Sequence, residues 1–334
     1  MSATTEKEQQ FINASDTISR VKNEIQSFIV GQHEVIDQVL WSILAGGHVL
    51  LEGLPGLGKT MLIKTISECL DLKFSRIQFT PDIMPSDITG TMLLQPDEAG
   101  RQNFVFHKGP LFANIILADE INRATPKTQS ALLEAMGEKT VTIMGETKPM
   151  ENPFFVLATQ NPIDMEGTYP LPEAQTDRFI CKVHVHYPTK EELREIVIRT
   201  TGPQSVQLEK MASLQDVIAL QRLAKEILVS DDIIDFAVSL ISATHPDSEE
   251  VPDIVKQYVQ YGSGPRGLQS LIGMAKSRAL SVGRYHISIG DIKHVAKPVL
   301  RHRLIINFEG EANGITADTI IDHLLNEPER GAKG

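Results

Sequence analysis

The stretch that most restricts this chain is "EGLPGLGKTM", Glu52 to Met61. It follows the apolar run Val49-Leu50-Leu51 and precedes the helix-patterned "LIKTISECL". Glycine and proline are unfavourable inside a strand or a helix. The chain must therefore turn sharply there, out of a buried strand and into a helix start. Gly53, Gly58, Lys59 and Thr60 fit the spacing G-x-x-x-x-G-K-[ST]. A bound phosphate chain accounts for that pattern. Backbone N–H groups must converge on its oxygens, and side chains would block the approach. The following helix aims its N-terminus, about half a positive charge, at the same anion. The cradle is expected from Leu54, Pro55, Gly56, Leu57, Gly58, Lys59, Thr60 and Met61. Lys59 would reach the β and γ phosphates, and Thr60 would hold Mg²⁺ through its hydroxyl.

A second motif narrows the reaction. "NIILADE", Asn114 to Glu120, is an apolar strand that ends in two adjacent acids. Taken alone it is a common solvated strand end. After a phosphate loop, Asp119 is expected to hold Mg²⁺ and Glu120 to polarise the attacking water as general base. A small-molecule kinase must exclude water from the γ-phosphate and seat an acceptor. A glutamate placed for water favours hydrolysis over the kinase alternative.

The rest of the chain supplies a scaffold for such a site. Its 334 residues suggest about two domains, at roughly 150 residues each. Residues 1–45 carry apolar residues at helical spacings. Residues 46–187 alternate short apolar runs with helix-patterned stretches, which predicts a doubly wound α/β fold around a parallel sheet. Within it, "GTMLLQPDEAGRQNFVFHKG" and "KTVTIMGETKPM" read as hairpins with turn-rich centres. From residue 188 the pattern becomes helical. Thr189 and Glu192 form a capping-box signature. Leu220, Leu223 and Ile227 share one face, as do Leu268, Leu271, Ile272, Ala275 and Ala279. The expected division is 1–187 for the nucleotide-binding α/β domain with its leading helices, 188–310 for a small helical domain, and 311–334 for a polar tail.

Composition excludes more than it assigns. Apolar residues make up 41% and net charge is −11, which argues against a general affinity for nucleic acid or an anionic membrane. No run approaches the ~18 apolar residues of a membrane span. "MSATTEKEQQ" lacks the pattern of a secretory signal, so a cytoplasmic protein is expected. The two cysteines, Cys69 and Cys181, lie in apolar segments and are expected to be reduced core residues.

Several motifs in order resemble one family. "IVGQHEVIDQVLWSILAGGHVLLEGLPGLGKT", "DEINRATPKTQSALLEAM", "VLATQNPIDMEGTYPLPEAQTDRF" and "GPRG" give the chain a likeness to the MoxR family of AAA+ ATPases over nearly its whole length. That resemblance implies an AAA+ P-loop core with a five-stranded parallel sheet, helices on both faces and inserted β-hairpins, followed by a small all-α lid. It implies that the segment with Gly31 and Gln32 lines the adenine pocket. Asn161, ending "FFVLATQN", resembles a sensor of the γ-phosphate or attacking water. Arg178 resembles an arginine finger that enters a neighbouring subunit's site, where such a residue is worth roughly 10³–10⁵ in rate. Thr176 departs from the apolar residue more usual beside it. Arg266 resembles a second sensor at a helix start, serving its own or a neighbouring site. Arg123 could orient Glu120, contact a neighbour, or pair with an acid.

The family also implies a homo-oligomeric ring, a hexamer by analogy. It implies chaperone-like maturation of metal- or cofactor-containing enzymes, with partners carrying von Willebrand factor A domains. The two hairpins resemble inserts that face the ring axis in related machines. Here they mix Arg101, His107, Lys108, Lys139 and Lys148 with Asp97, Glu98 and Glu146, unlike the basic surface of a DNA motor. Two other readings stay open: a nucleotide-gated scaffold with slow hydrolysis, and a chelatase-like or DNA-processing machine. His184 and His186 alternate on a predicted strand with no third ligand evident, so an edge-strand or partner-facing pair is expected rather than a metal site.

Overall fold

In a computed structural model, residues 3–97, 101–161, 168–201, 207–248 and 251–326 are described. The centre of the first hairpin turn, Glu98 to Gly100, and residues 162–167 of the "NPIDMEG" motif lie outside them. Two helices lead, α1 (Ala3–Phe28) and α2 (His33–Ala45). The α/β core follows as β1 (Val49–Glu52), α3 (Lys59–Cys69), β2 (Phe74–Gln78), α4 (Pro85–Thr89), β3 (Gly90–Pro96) and β4 (Gln102–Lys108). It continues through β5 (Ile115–Asp119), α5 (Pro126–Glu138), β6 (Thr140–Ile143), β7 (Glu146–Pro149), β8 (Phe155–Gln160), α6 (Glu173–Thr176) and β9 (Cys181–His184).

Five of these strands form one parallel sheet in the order β2-β5-β8-β1-β9. The three inner strands, "VLLE", "IILAD" and "FVLATQ", are buried on both faces until their last residue. The edge strands are less buried: β9 alternates buried and half-buried residues, and β2 fully buries only Ile77. Successive residues feed opposite sides of the sheet. Val49, Leu51, Leu117, Leu157 and Val183 join a core with α1, α2 and α3. Leu50, Ile116, Ala118, Val156 and Ala158 join a second core with α4 and α5. The sheet therefore has helices on both faces. The hairpins are present as isolated antiparallel pairs, β3–β4 and β6–β7.

The helical part of the chain comprises α7 (Lys190–Thr201), α8 (Leu214–Glu226), α9 (Asp231–Ser242), α10 (Asp253–Tyr258), α11 (Pro265–Ser281) and α12 (Ile289–Leu300). The Thr189–Glu192 capping box forms, with Thr189 N donating to Glu192 Oε2 (2.7 Å) and Glu192 N to Thr189 Oγ1 (3.2 Å). A two-strand ladder, β10 (Val259–Tyr261) with β11 (Ile305–Ile306), accompanies the helices. The last segment departs from the expected tail at 311–334. After α13 (Phe308–Ala312), residues 317–326 form α14 (Ala317–Asn326), with Ile320 and Ile321 fully buried. Those two isoleucines join the first core, which runs unbroken from α3 through α11 and α12. Burial of two such side chains stabilises by roughly 3–6 kcal/mol, enough to order a short amphipathic helix. Among the described residues, no helix is long and apolar enough to cross a membrane.

Candidate nucleotide site

The loop after β1 is an open cradle. Gly56 and Gly58 are left-handed (φ 83° and 75°), and a Cβ on either would meet nothing within 4 Å. Gly58 caps the N-terminus of α3, so the first N–H groups of that helix point into the same space. Lys59 Nζ donates to Gly53 O at 2.6 Å. Burial lowers the Lys59 pKa, while Asp119, Glu120 and Glu52 oppose the shift. The ammonium thus already sits in the field of the two acids. Leu54 and Met61 are exposed at the rim, and Leu57 is buried beneath it.

Gln32 reaches the cradle from the N-terminal side. It is left-handed (φ 54°), a strained conformation for a non-glycine residue, and its Nε2 donates to Leu57 O at 3.0 Å. Its Oε1 is buried without a hydrogen-bond partner. Gly31 lies under the first turn of α7. A Cβ there would come within 2.1 Å of Glu192 Oε1. The glycine therefore lets α7 close on this edge.

The acids stand at the end of β5, braced from three sides. Thr159, fully buried on β8, accepts from Glu120 N (2.8 Å) and donates to Asp119 Oδ1 (2.7 Å). On β2, Arg76 donates to Asp119 Oδ2 (2.7 Å), and Gln78 donates to Glu120 Oε2 (3.1 Å). Arg123 also donates to Glu120 Oε2, at 3.0 Å. Of the three roles open to Arg123, this geometry realises contact with Glu120. Glu120 is itself left-handed (φ 56°), which swings its side chain off the strand direction. Asn161 directly follows β8, and its carbonyl accepts from Asn122 Nδ2 (3.4 Å).

Arg178 and Arg266 have other surroundings. Arg178 donates to Leu133 O of α5 at 2.6 Å, and Arg266 pairs with Asp177 at 3.5 Å. Their partners thus belong to α5 and to the residue after α6, not to the phosphate loop. The anion that faces the start of α11 is Asp177. Thr159, Arg76 and Gln78 escaped sequence reasoning. The one available signal was alternation on β2, which puts Arg76 and Gln78 on one face.

The donors fit magnesium and a nucleotide. Thr60 and Asp119 offer oxygens, a Cβ at Gly56 or Gly58 would meet nothing in the cradle, and Gln32 Oε1 is buried without a hydrogen-bond partner. His184 ends the edge strand and His186 lies two residues beyond it; burial lowers the His184 pKa first and Arg301 second. Among the described residues, no group of three or more His, Cys, Asp or Glu could hold a metal ion. Cys69 and Cys181 are buried free thiols, pushed up by burial to about 12 and about 11.

Comparison with known proteins agrees with this geometry. Residues 48–181 match the ATPase family associated with various cellular activities (AAA), and residues 252–324 match the AAA lid domain. The chain is 43% identical over 311 residues to Chaperone MoxR1 of Mycobacterium tuberculosis, covering 92% of this chain and 81% of that protein. It is 39% identical to the uncharacterized protein YeaC of Bacillus subtilis, covering 92% and 93% respectively. A crystal structure of a candidate ATPase from Cytophaga hutchinsonii superposes with a TM-score of 0.91 at 42% identity, covering 97% of this chain and 98% of that one.

Proposed function

Because the chain belongs to the MoxR family of AAA+ ATPases, we propose that it hydrolyses Mg²⁺-ATP in a ring, a hexamer by analogy, and uses the cycle to remodel partner proteins. The observation that carries this reading is the split of functional groups. The cradle, Lys59 and the braced acids form one cluster, while Arg178 is held on α5 beside Asp177. A site whose transition-state cation lies elsewhere on the same chain is completed by a neighbour.

In the proposed mechanism, Lys59 leaves the Gly53 carbonyl and turns to the β and γ phosphates. Bound Mg²⁺ would neutralise charge building on those phosphates. Thr60 and Asp119 would hold it, with Thr159 fixing the Asp119 carboxylate. Glu120 accepts a proton from the attacking water, and Asn161 orients that water. Gln32 and Gly31 receive the base, with the unpartnered Gln32 Oε1 as acceptor. Arg178 releases Leu133 O and stabilises charge in the adjoining subunit's site, with Arg266 close to it.

Chaperone-like action is the reading supported by the relative named a chaperone; a cytoplasmic setting is proposed with it. Partners with von Willebrand factor A domains and metalloenzyme clients are proposed by family analogy alone. The hairpins favour a protein client over DNA. Leu94 and Phe104 stand opposite one another on β3–β4 and are 54% and 62% exposed.

The test is Mg²⁺-ATP hydrolysis per subunit across protein concentration, for the parent and Arg178→Ala. Activity is expected to climb with concentration in the parent. Arg178→Ala should stay near background while still binding nucleotide. Concentration-independent activity with a harmless Arg178→Ala would sink the shared-site reading and favour a monomeric enzyme.

A further inference from the structure

Arg303, which follows α12, belongs to none of the motifs read from the sequence. Its side chain is only 2% exposed. A buried guanidinium is costly unless its donors are satisfied. Here Nε donates to Asp177 Oδ1 (2.8 Å), and Nη2 to Phe179 O (2.7 Å) and Asp177 O (3.2 Å). Nη1 donates to Ile180 O (3.2 Å) and to Val299 O. Nη2 also approaches Ser270 Oγ (3.2 Å). The two lid partners, Val299 on α12 and Ser270 on α11, anchor the fork. Every other acceptor lies in residues 177–180.

Those four residues are the whole connection between α6 and β9, and Arg178 is one of them. The guanidinium therefore fixes the backbone on both sides of Arg178. It also holds one oxygen of Asp177, whose other oxygen takes Arg266. A buried pair that served stability alone could be replaced by packed apolar side chains with little loss. A planar fork spread over one four-residue arm does something packing cannot: it sets the arm's direction.

We infer that Arg303 is a positioning residue, which staples the 177–180 arm to the lid and thereby sets how Arg178 is presented to a neighbouring subunit. This rests on the proposed role of Arg178. The inference predicts that loss of the fork damages the neighbour's site and leaves the subunit's own site intact.

Arg303→Lys keeps a buried cation but loses the fork. Its affinity for a fluorescent ATP analogue should match the parent's, while hydrolysis falls by about tenfold or more, the scale of ångström-level misplacement. Mixing with Glu120→Gln subunits should then restore hydrolysis, because those inactive subunits lend a well-placed Arg178. Arg178→Ala mixed with Glu120→Gln is the control. If that control is not rescued, the shared site is wrong and the inference falls with it. If the control is rescued and Arg303→Lys is not, the inference alone is overturned. Parent-like hydrolysis by Arg303→Lys, or loss of its nucleotide binding, also overturns it, since Arg303 would then be a fold residue only.

Discussion

Asp119 is paired with a cation of its own chain. Arg76 lies 2.7 Å from one of its oxygens, and Thr159 holds the other. The Arg76 side chain is 48% exposed, so its pairing is worth at most about 1 kcal/mol. That energy would still compete with the Mg²⁺ proposed for the same carboxylate. Arg76→Gln should lower the Mg²⁺ concentration for half-maximal nucleotide binding by roughly up to fivefold, read by titrating the metal against a fluorescent nucleotide. An unchanged or raised midpoint would mean that Arg76 does not compete there. Gly31 gives a second test. It is left-handed (φ 65°), and an added Cβ would displace Glu192 from the α7 cap. Gly31→Ala should cost about 1–2 kcal/mol from the backbone alone and weaken nucleotide binding; thermal melting and the same titration report both. The cradle was legible because glycine spacing is a local signal. Arg76 and Thr159 were not, because their roles arise from pairing of β2 with β5 and the approach of β8, between residues about 40 apart in sequence.

Elements follow the same division between local and distant causes. Both hairpins were readable, since turn-forming residues and alternating arms lie within about twenty residues of each other. The helix α14 was missed. Its sequence "ADTIIDHLLN" follows a glycine and is too short to assert itself by propensity, so its order depends on Ile320 and Ile321 finding α12 and the core. On β3–β4 the reverse holds: a readable element carries apolar residues that the fold does not use. Leu94 and Phe104 are exposed. Replacing both by serine should therefore change stability by no more than about 0.5 kcal/mol at each site, within a few degrees of melting temperature. A large loss of stability would show that the hairpin packs elsewhere on the chain. In the lid, α12 depends on Asp291, which is fully buried and receives Arg284 at 2.6 and 2.7 Å, Arg278, and Ser288. Burial disfavours that carboxylate, yet the hydrogen bonds from Arg284, Ser288 and Arg278 prevail and hold its pKa at about 2. Asp291→Asn leaves two cations facing a neutral amide and should cost roughly 3–5 kcal/mol in a denaturant titration.

At the scale of the molecule, two buried histidines set the response to acid. His48 directly precedes β1 and sits between α5 and β8. Its Nδ1 accepts from Val156 N (3.1 Å), and its Nε2 donates to Met136 O (3.2 Å). Burial lowers its pKa to about 4 against the smaller opposing effect of the Met136 bond. His302, which bonds Phe179 O, is likewise held well below its usual value, chiefly by burial and then by Arg303. Both must stay neutral in the folded chain, whereas unfolded imidazoles take up protons near pH 6.5. The unfolded state thus binds more protons between pH 6.5 and about 4, and stability must fall as pH falls through that window. His48 alone accounts for roughly 3 kcal/mol across it, from its displaced pKa. Asp291 adds its loss only lower, between about pH 4 and 2, so the two causes separate on the pH axis. The melting temperature should decline from pH 7 to pH 5, where the carboxylates remain ionised. His48→Gln should be less stable at pH 7, because it cannot keep both bonds of the ring, but it should show a shallower decline below pH 6.5. An equally steep decline in His48→Gln would place the acid sensitivity elsewhere. His302 is the next candidate, ahead of His184 and His294, whose pKa values burial also lowers, and the loss would then fall on the arm that carries Arg178.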